Sequence, residues 1–124
     1  MIQLDTSFLI RSLVRGSPED HALRRWLKSD GVIGISAIAW TEFLCGPATT
    51  DVVEAAAELL GEPVPFEAPD AAIAAELYNL GGRKRGTLID SMIAAIAMRS
   101  GARLATANPA DFRRLASSGL VLAT

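Results

Sequence analysis

The sequence opens on a short apolar run that ends in an acid. Met1, Ile2 and Leu4 lead into Asp5, and the hydroxyl residues Thr6 and Ser7 follow it. Such a run predicts a buried strand, and in an open parallel sheet the functional crevice lies at the carboxyl ends of the strands. Asp5 is therefore predicted to face a site, and other groups of the chain are expected to converge on it.

Predicted strands and helices alternate along the rest of the sequence. Short apolar runs predict further strands at residues 32–35, 63–66, 103–106 and 120–122, with a turn at Asp30 and Gly31. Helical spacing of apolar residues, with serine caps at Ser17 and Ser36, predicts helices at residues 6–15, 17–28, 37–45, 50–60, 69–80, 87–100 and 108–117. Strands that alternate with helices call for a parallel sheet covered on both faces. The prediction is one α/β domain over residues 1–124, with three α/β/α layers and a central, mostly parallel sheet of about four to five strands.

Size and cysteine content limit the class of protein. The chain has 124 residues, half of them hydrophobic, which is enough for one core that needs no disulfide bonds or structural metal. The single cysteine, Cys45, excludes an internal disulfide framework, and an acid at position 5 is not typical of a signal peptide. No apolar run approaches the roughly 20 residues of a membrane span. These features predict a cytoplasmic protein with no membrane partner.

The small net charge of −2 conceals an uneven distribution. Residues 31–82 contain eight acids and no lysine or arginine, and the rest of the chain carries twelve bases and six acids. One pole of the domain is therefore predicted to suit a polyanion and the other a basic partner, unless both are only solvated helix faces.

Four acids lie where solvated acids are not expected. Asp5 follows the first strand, Glu42 and Asp90 lie in apolar helical stretches without a basic neighbour one turn away, and Asp111 follows the strand at 103–106. A buried carboxylate must be paired, protonated or bound to a metal, because an isolated buried charge costs several kcal/mol. Clustered carboxylates suit Mg²⁺ or Mn²⁺, which also bind a substrate phosphate and activate water.

Each acid also has a purely structural interpretation. Asp5 and Asp90 are each suitable as a helix cap, and Glu42 is able to point into solvent. Asp111 stands third in a helix-start pattern, with Arg114 three residues on as a possible ion-pair partner. The sequence leaves these alternatives open.

Other reactive side chains are few. His21, the only histidine, lies in a charged predicted helix and is expected on the surface, so no histidine pair is available for metal-free cleavage of RNA. Cys45 has no histidine partner and is expected to be a small core residue rather than a nucleophile.

At four places the sequence resembles a known family. These are Asp5-Thr6-Ser7 after the first strand, Glu42 in an apolar helix, the stretch from Asp90 to Ala95, and the stretch from Thr106 to Phe112. In order and spacing they resemble the PIN-domain ribonucleases, and more narrowly the VapC-type toxins of toxin-antitoxin modules. The resemblance covers the whole chain.

The resemblance implies an endoribonuclease of a type II module that depends on Mg²⁺ or Mn²⁺ and cleaves by metal-activated water. It implies Asp5 and Asp90 as central metal ligands, Glu42 as ligand or base, and Asp111 as the fourth acid, often bound to the metal through water, with all four catalytic. Thr6 or Ser7 is implied to orient Asp5, and Asn108 to lie at the edge of the site. The implied partners are an RNA substrate, a cognate antitoxin and a second copy of the chain.

The sequence supports three further expectations, about RNA binding, assembly and an alternative function. The basic residues Arg83, Lys84 and Arg85 lie just before the Asp90 helix and are expected to bind RNA phosphates, unless their loop is only solubilising. Large apolar residues in the early helices, Phe8, Leu13, Trp26 and Trp40, also predict a homodimer. The alternative function is a non-catalytic module of the same fold that binds RNA or protein.

Overall fold

A computed structural model of the protein describes residues 1–29 and 31–123. The described strands are β1 (Ile2–Leu4), β2 (Ile33–Ile35) and β3 (Arg103–Ala105). The helices are α1 (Thr6–Ser12), α2 (Pro18–Lys28), α3 (Ala37–Leu44), α4 (Thr50–Leu60), α5 (Ala68–Leu80), α6 (Leu88–Arg99) and α7 (Pro109–Arg113), with a 3-10 turn at Ala116–Ser118. The predicted turn at Asp30 and Gly31 lies partly outside the described residues, because Asp30 is not among them.

The three strands form one parallel sheet in the order β2-β1-β3. Central β1 pairs Leu4 with Ile35 on one side and with Ala105 on the other, and all three of these residues are fully buried. Strands buried on both faces are expected where helices cover a parallel sheet. The predicted α/β fold class is confirmed.

Two of the five predicted strands are reduced to single parallel bridges. Val64 pairs with Ser36, and Leu122 pairs with Leu104. Val64 lies between Pro63 and Pro65, which have no N–H to donate, so the segment cannot extend a ladder. On the other edge only Leu104 exchanges backbone hydrogen bonds with residues 121–123. The sheet therefore has three strands, fewer than the four to five predicted.

Helix starts follow local sequence closely. Asp5, Ser17, Ser36 and Thr49 cap α1, α2, α3 and α4, and each side chain accepts the backbone N–H of the third residue on. Such caps satisfy N–H groups that the helix itself leaves without partners. The predicted caps at Ser17 and Ser36 are confirmed, and Asp5 does cap its helix.

The core corrects the sequence prediction at several apolar positions. Phe8 and Trp26 stack with ring centroids 5.4 Å apart inside the core, so they give no support to a dimer surface. Leu80, predicted to belong to the apolar stripe of its helix, is 71% exposed because the last turn of α5 extends past the core that Leu77 reaches. Cys45 is exposed rather than buried, since it caps the end of α3 just before Gly46. His21 is exposed, as predicted.

A buried ion pair joins three parts of the chain. Asp70, fully buried in the first turn of α5, accepts a hydrogen bond from Arg99 Nε at the end of α6. Its second oxygen accepts the Glu67 N–H at 2.8 Å, and Arg99 also donates to the Pro65 carbonyl at 3.0 Å. These contacts hold the segment around Pro65 and the start of α5 against the end of α6.

Candidate functional site

One cavity of about 290 Å³ lies beyond the carboxyl ends of β1 and β3. The structure brings together around it the four acids and the three supporting residues predicted from the sequence, namely Asp5, Thr6, Ser7, Glu42, Asp90, Asn108 and Asp111. Parallel strands end at the same edge of a sheet, which is where crevices form in folds of this kind. The apolar part of the lining is Ile10, Ile93 and Phe112.

Asp5 is the most buried of the four acids and is held from two directions. Its Oδ1 accepts the Phe8 N–H and the Ser7 hydroxyl, each at 2.8 Å. Burial raises the pKa of Asp5, and the hydrogen bonds from Thr106, Phe8 and Ser7 offset only part of that rise. Both of the close hydrogen bonds use one oxygen, so the capping role of Asp5 is compatible with a place in the cavity.

Ser7 connects the two halves of the site. Its hydroxyl donates to Asp5, and its oxygen accepts the Ala107 N–H at 3.1 Å. Thr106 Oγ1 lies 3.4 Å from Ser7 Oγ and accepts the Asn108 N–H at 3.0 Å. The loop after β3 is thereby fixed against the loop after β1. Thr106 does not line the cavity itself, but it contacts Ser7, and sequence reasoning missed this contact although Thr106 follows a strand in the same way as Asp5.

Glu42 reaches the cavity from α3. It is exposed, which corrects the expectation of a carboxylate in apolar surroundings, because the cavity itself opens to solvent. Its Oε1 lies 2.9 Å from Thr6 Oγ1, which is also 3.0 Å from the Ala39 carbonyl. The Thr6 hydroxyl therefore orients Glu42 and ties α1 to α3, rather than contacting Asp5.

Asp90 is the acid whose pKa responds most clearly to the other acids of the site. It is half-buried in the first turn of α6, where Thr87 makes no side-chain cap. Burial, followed by the charges of Asp111, Asp5 and Glu42, raises the pKa of Asp90 to about 6, against a smaller opposite effect of Arg114. Like charges raise a carboxyl pKa when they lie within several ångströms, so the four acids interact electrostatically.

Asp111 and Arg114 do not form the ion pair that the sequence left open as a structural alternative. Asp111 is exposed in the first turn of α7, and within the described residues it forms no ion pair with Arg114. The Arg114 guanidinium instead lies against Gly81, where an added Cβ would stand 2.7 Å from Nη1. The charge of Arg114 lowers the pKa of Asp90, an effect that the sequence did not predict because the two residues lie 24 positions apart.

The basic loop lies outside the cavity lining. Arg83, Lys84 and Arg85 are all exposed, between the end of α5 and the start of α6. Arg83 has a left-handed backbone with φ of 55°, and Tyr78 braces it through a hydrogen bond to its carbonyl at 3.2 Å and a ring 5.9 Å from the guanidinium. The loop therefore forms a turn of defined backbone conformation that presents basic side chains next to α6, the helix that contains Asp90.

The donor set of the cavity is suited to a hard divalent cation. It offers carboxylate and hydroxyl oxygens, and no histidine or cysteine, which are the ligands that Mg²⁺ and Mn²⁺ favour. Within the described residues, no three side chains of ligating type stand in a ready-made metal cluster. Mg²⁺ fits such an arrangement because it usually takes only one or two protein carboxylates and keeps several waters.

The fold and the cavity define an α/β domain with a carboxylate site at the carboxyl edge of a parallel sheet. The model of one family, the PIN domain, matches residues 2–117. The chain therefore belongs to the PIN-domain family, as the sequence motifs predicted. A comparison with curated proteins found no match. None of the helices in the described part of the chain is both long and apolar enough for a membrane span.

Solved structures with the same fold include toxin-antitoxin proteins. VapBC2 from Rickettsia felis, bound to a DNA fragment from its promoter, has a TM-score of 0.79 at 23% identity, over 99% of this chain and 98% of that chain. A toxin-antitoxin complex from Klebsiella pneumoniae has a TM-score of 0.70 at 25% identity, over 90% of each chain. VapC20 from Mycobacterium tuberculosis, a toxin that cleaves the sarcin-ricin loop, has a TM-score of 0.68 at 18% identity, over 99% and 98%.

Proposed function

We propose that this protein is the toxin of a type II toxin-antitoxin module, a VapC-type endoribonuclease that uses Mg²⁺ or Mn²⁺ in the cytoplasm. The observation that carries the proposal is the position of four carboxylates around one cavity, where burial and the charges of Asp111, Asp5 and Glu42 raise the pKa of Asp90 to about 6. Perturbed carboxyl groups in a cleft are a sign of a functional site. The toxin-antitoxin proteins of the same fold support the choice of reaction and partner.

Asp5 and Asp90 are the proposed central ligands of the cation. Asp5 suits this role because Ser7 and the Phe8 N–H hold its carboxylate in one orientation, and a fixed ligand is a preorganised one. Asp90 suits it because burial and the charges of the other acids disfavour its carboxylate, and a nearby cation offsets both effects. Asp111 is proposed to complete the charge of the site, and Asn108 to lie at its edge beside the substrate.

Glu42 is proposed as a further ligand or as the base that accepts a proton from the attacking water. The Thr6 hydroxyl at 2.9 Å orients its carboxylate for either role. When bound, the cation supplies a lowered pKa for water and stabilises charge that develops on the attacked phosphate. The chain contributes the positions of the four carboxylates and the apolar residues Ile10, Ile93 and Phe112 that border them.

The activity is tested by RNA cleavage with Mn²⁺, with a chelator as control. Wild-type protein should cleave RNA with Mn²⁺ only, and Asp90→Asn should lower the rate at least about a hundredfold, as expected when a group central to the chemistry is removed. Asp51→Asn is the matched control, because Asp51 is also in the first turn of a helix but is exposed and does not line the cavity. Cleavage that persists in chelator, or in Asp90→Asn, would contradict the proposal. No cleavage by the wild type under any condition would favour the alternative, a non-catalytic module of this fold that binds RNA or protein.

The basic loop is proposed to bind RNA phosphates. Replacing Arg83, Lys84 and Arg85 by alanine should weaken binding of single-stranded RNA and lower the slope of log affinity against log salt by about 2, because each lost phosphate contact contributes about 0.7. The control replaces the three exposed bases of α2, Arg24, Arg25 and Lys28, which changes the net charge equally. Fluorescence anisotropy over a salt series gives both slopes. Equal slopes for the two triple variants would mean that the loop only solubilises the protein.

Protein partners are proposed to be a cognate antitoxin and a second copy of the chain. Exposed apolar side chains support such contacts, since Leu13, Leu27 and Leu59 are each more than 40% exposed and border one cavity of about 360 Å³ between α1, α2 and α4. Apolar surface of this kind is typical of an interaction site. Homodimerisation stays a prediction, and of the residues first chosen for it only Leu13 is exposed.

A further inference from the structure

The acid-lined cavity continues into a groove along α1. A second cavity of about 480 Å³ shares Ser7, Ile10 and Asn108 with the first. A third, of about 230 Å³, shares Glu19 and Ala107 with the second. The three cavities are therefore adjacent, and together they lie along a line from the four acids past the end of α1 towards the start of α2.

One cationic side chain lines the middle of this groove. Arg11 is 54% exposed, and its Nε lies 3.3 Å from Oε1 of Glu19, whose side chain is 14% exposed. Within the described residues the two terminal nitrogens of Arg11 have no hydrogen-bond partner. The pair uses only Nε of an exposed arginine, so the two terminal nitrogens of Arg11 are able to bind a further anion that competes with the carboxylate. Phosphate is such an anion, because arginine binds it through two parallel hydrogen bonds.

The rest of the middle cavity suits a nucleic acid strand. Ser7 and Asn108 are neutral and polar, and Ile10 is 46% exposed, which gives a base an apolar surface to rest on. Apart from Arg11, Glu19 is the only charged side chain among the residues that line the middle cavity. An RNA strand whose scissile phosphate lies at the four acids must leave the cavity at some point. Since every nucleotide of the strand carries a phosphate, the next phosphate lies just outside the cavity. The groove offers an exit with a cation at its side.

We infer that the RNA strand leaves the acid site along this groove, where Arg11 binds a phosphate adjacent to the scissile one and Glu19 competes with RNA for Arg11. The inference rests on the proposed function and adds a substrate-positioning residue to it. Arg11 and Glu19 then have opposite effects on RNA binding, although they form an ion pair with each other. A merely structural ion pair would lose the same contact whichever partner is changed, and RNA binding would not change with it.

The test measures binding of a labelled single-stranded RNA oligonucleotide in chelator, so that binding is read without cleavage. Arg11→Gln should weaken binding about three- to tenfold, as expected for one charge-assisted contact, and lower the salt slope by about 0.7. Glu19→Gln should strengthen binding, and that gain should shrink when Arg11→Gln is also present. The matched controls are Arg15→Gln and Glu58→Gln, exposed residues that line none of the three cavities. Thermal melts of all variants show that each is folded.

The outcomes separate this inference from the proposed function. If Arg11→Gln binds RNA like Arg15→Gln while the wild type cleaves RNA with Mn²⁺, the groove is not the path of the strand and the nuclease proposal stands. If the Arg11 and Glu19 variants shift binding in opposite directions but the wild type never cleaves, the groove inference holds for a binding protein. Equal weakening by both variants would overturn the inference, because it would show that the ion pair itself supports the bound state.

Discussion

Asp90→Asn should leave the protein in chelator at pH 7 as stable as the wild type, or up to about 2 kcal/mol more stable. Burial and the charges of Asp111, Asp5 and Glu42 raise the pKa of Asp90 to about 6, so its charged form is disfavoured in the folded state. A rise of that size corresponds to about 3 kcal/mol at most. Solvent screening of a half-buried group reduces the effect, which gives the range expected here.

The dependence on pH follows from the sign of this pKa change. A carboxyl group with a raised pKa binds more protons in the folded than in the unfolded state, so its contribution to stability is lost as pH rises. In chelator, the wild type should therefore lose stability relative to Asp90→Asn between about pH 4, near the pKa of an unfolded aspartate, and about pH 6. Above that window the difference should be constant. Chemical denaturation across the pH series measures it.

Mn²⁺ provides the second half of this experiment. The wild type should gain about 2.7 kcal/mol at a hundredfold excess of Mn²⁺ over its dissociation constant, and Asp90→Asn should gain much less. Were Asp90 half of a buried salt bridge, its loss would instead cost about 3 to 5 kcal/mol. A large loss of stability in chelator, or an undiminished response to Mn²⁺ in the variant, would show that Asp90 does not belong to a cation site.

Asp70→Ala should be strongly destabilising, by about 2 to 3 kcal/mol at pH 7. Asp70 is fully buried, and its loss removes two charge-assisted hydrogen bonds, from Arg99 and from the Glu67 N–H. The cost stays below that of a deeply buried pair because the remaining arginine side chain is 25% exposed and is able to hydrate.

The pH dependence of the Asp70→Ala effect has the opposite sign. Burial alone would raise the pKa of Asp70, but the hydrogen bonds from Arg99 and the Glu67 N–H together lower it. Its stabilising contribution is therefore present above the ordinary aspartate pKa and is lost as pH falls through the lowered one. The difference between wild type and variant should shrink below about pH 4.

Asp51→Ala, a matched exposed acid in the first turn of α4, should cost about 0.5 kcal/mol or less, and a similar cost for both variants would contradict a buried ion pair.

Three aspartates, Asp5, Asp90 and Asp70, show how far sequence reasoning reaches. Asp5 and Asp90 were candidates because of their places next to a strand and in an apolar helix, and both line the cavity. Asp70 was not singled out, because its partner Arg99 lies 29 residues away and on another helix. Pairing that crosses between elements leaves no periodic signal along the chain. For Asp5, capping and a place in the cavity were weighed as alternatives, yet the structure accommodates both, since the cap uses Oδ1.

Local interactions suffice for the helix starts and for the order of elements. The hydroxyls of Ser17 and Ser36 bond to N–H groups three residues away, and apolar spacing repeats within each helix, so neither depends on the rest of the chain. The number of strands in the sheet could not be predicted from apolar runs alone. Val64 forms only a single bridge, because it lies between two prolines that have no N–H to donate to a neighbouring strand.

Only the tertiary structure decides which charges meet. Asp5, Glu42, Asp90 and Asp111 come from four separate segments, and the parallel order β2-β1-β3 brings the ends of those segments to one edge. The same packing places Arg114 against Gly81 and Arg11 beside Glu19 in the groove that leaves the acids. Burial in the folded protein, followed by the charges of acids from other segments, raises the pKa of Asp90, and neither effect can be read from its neighbours along the chain.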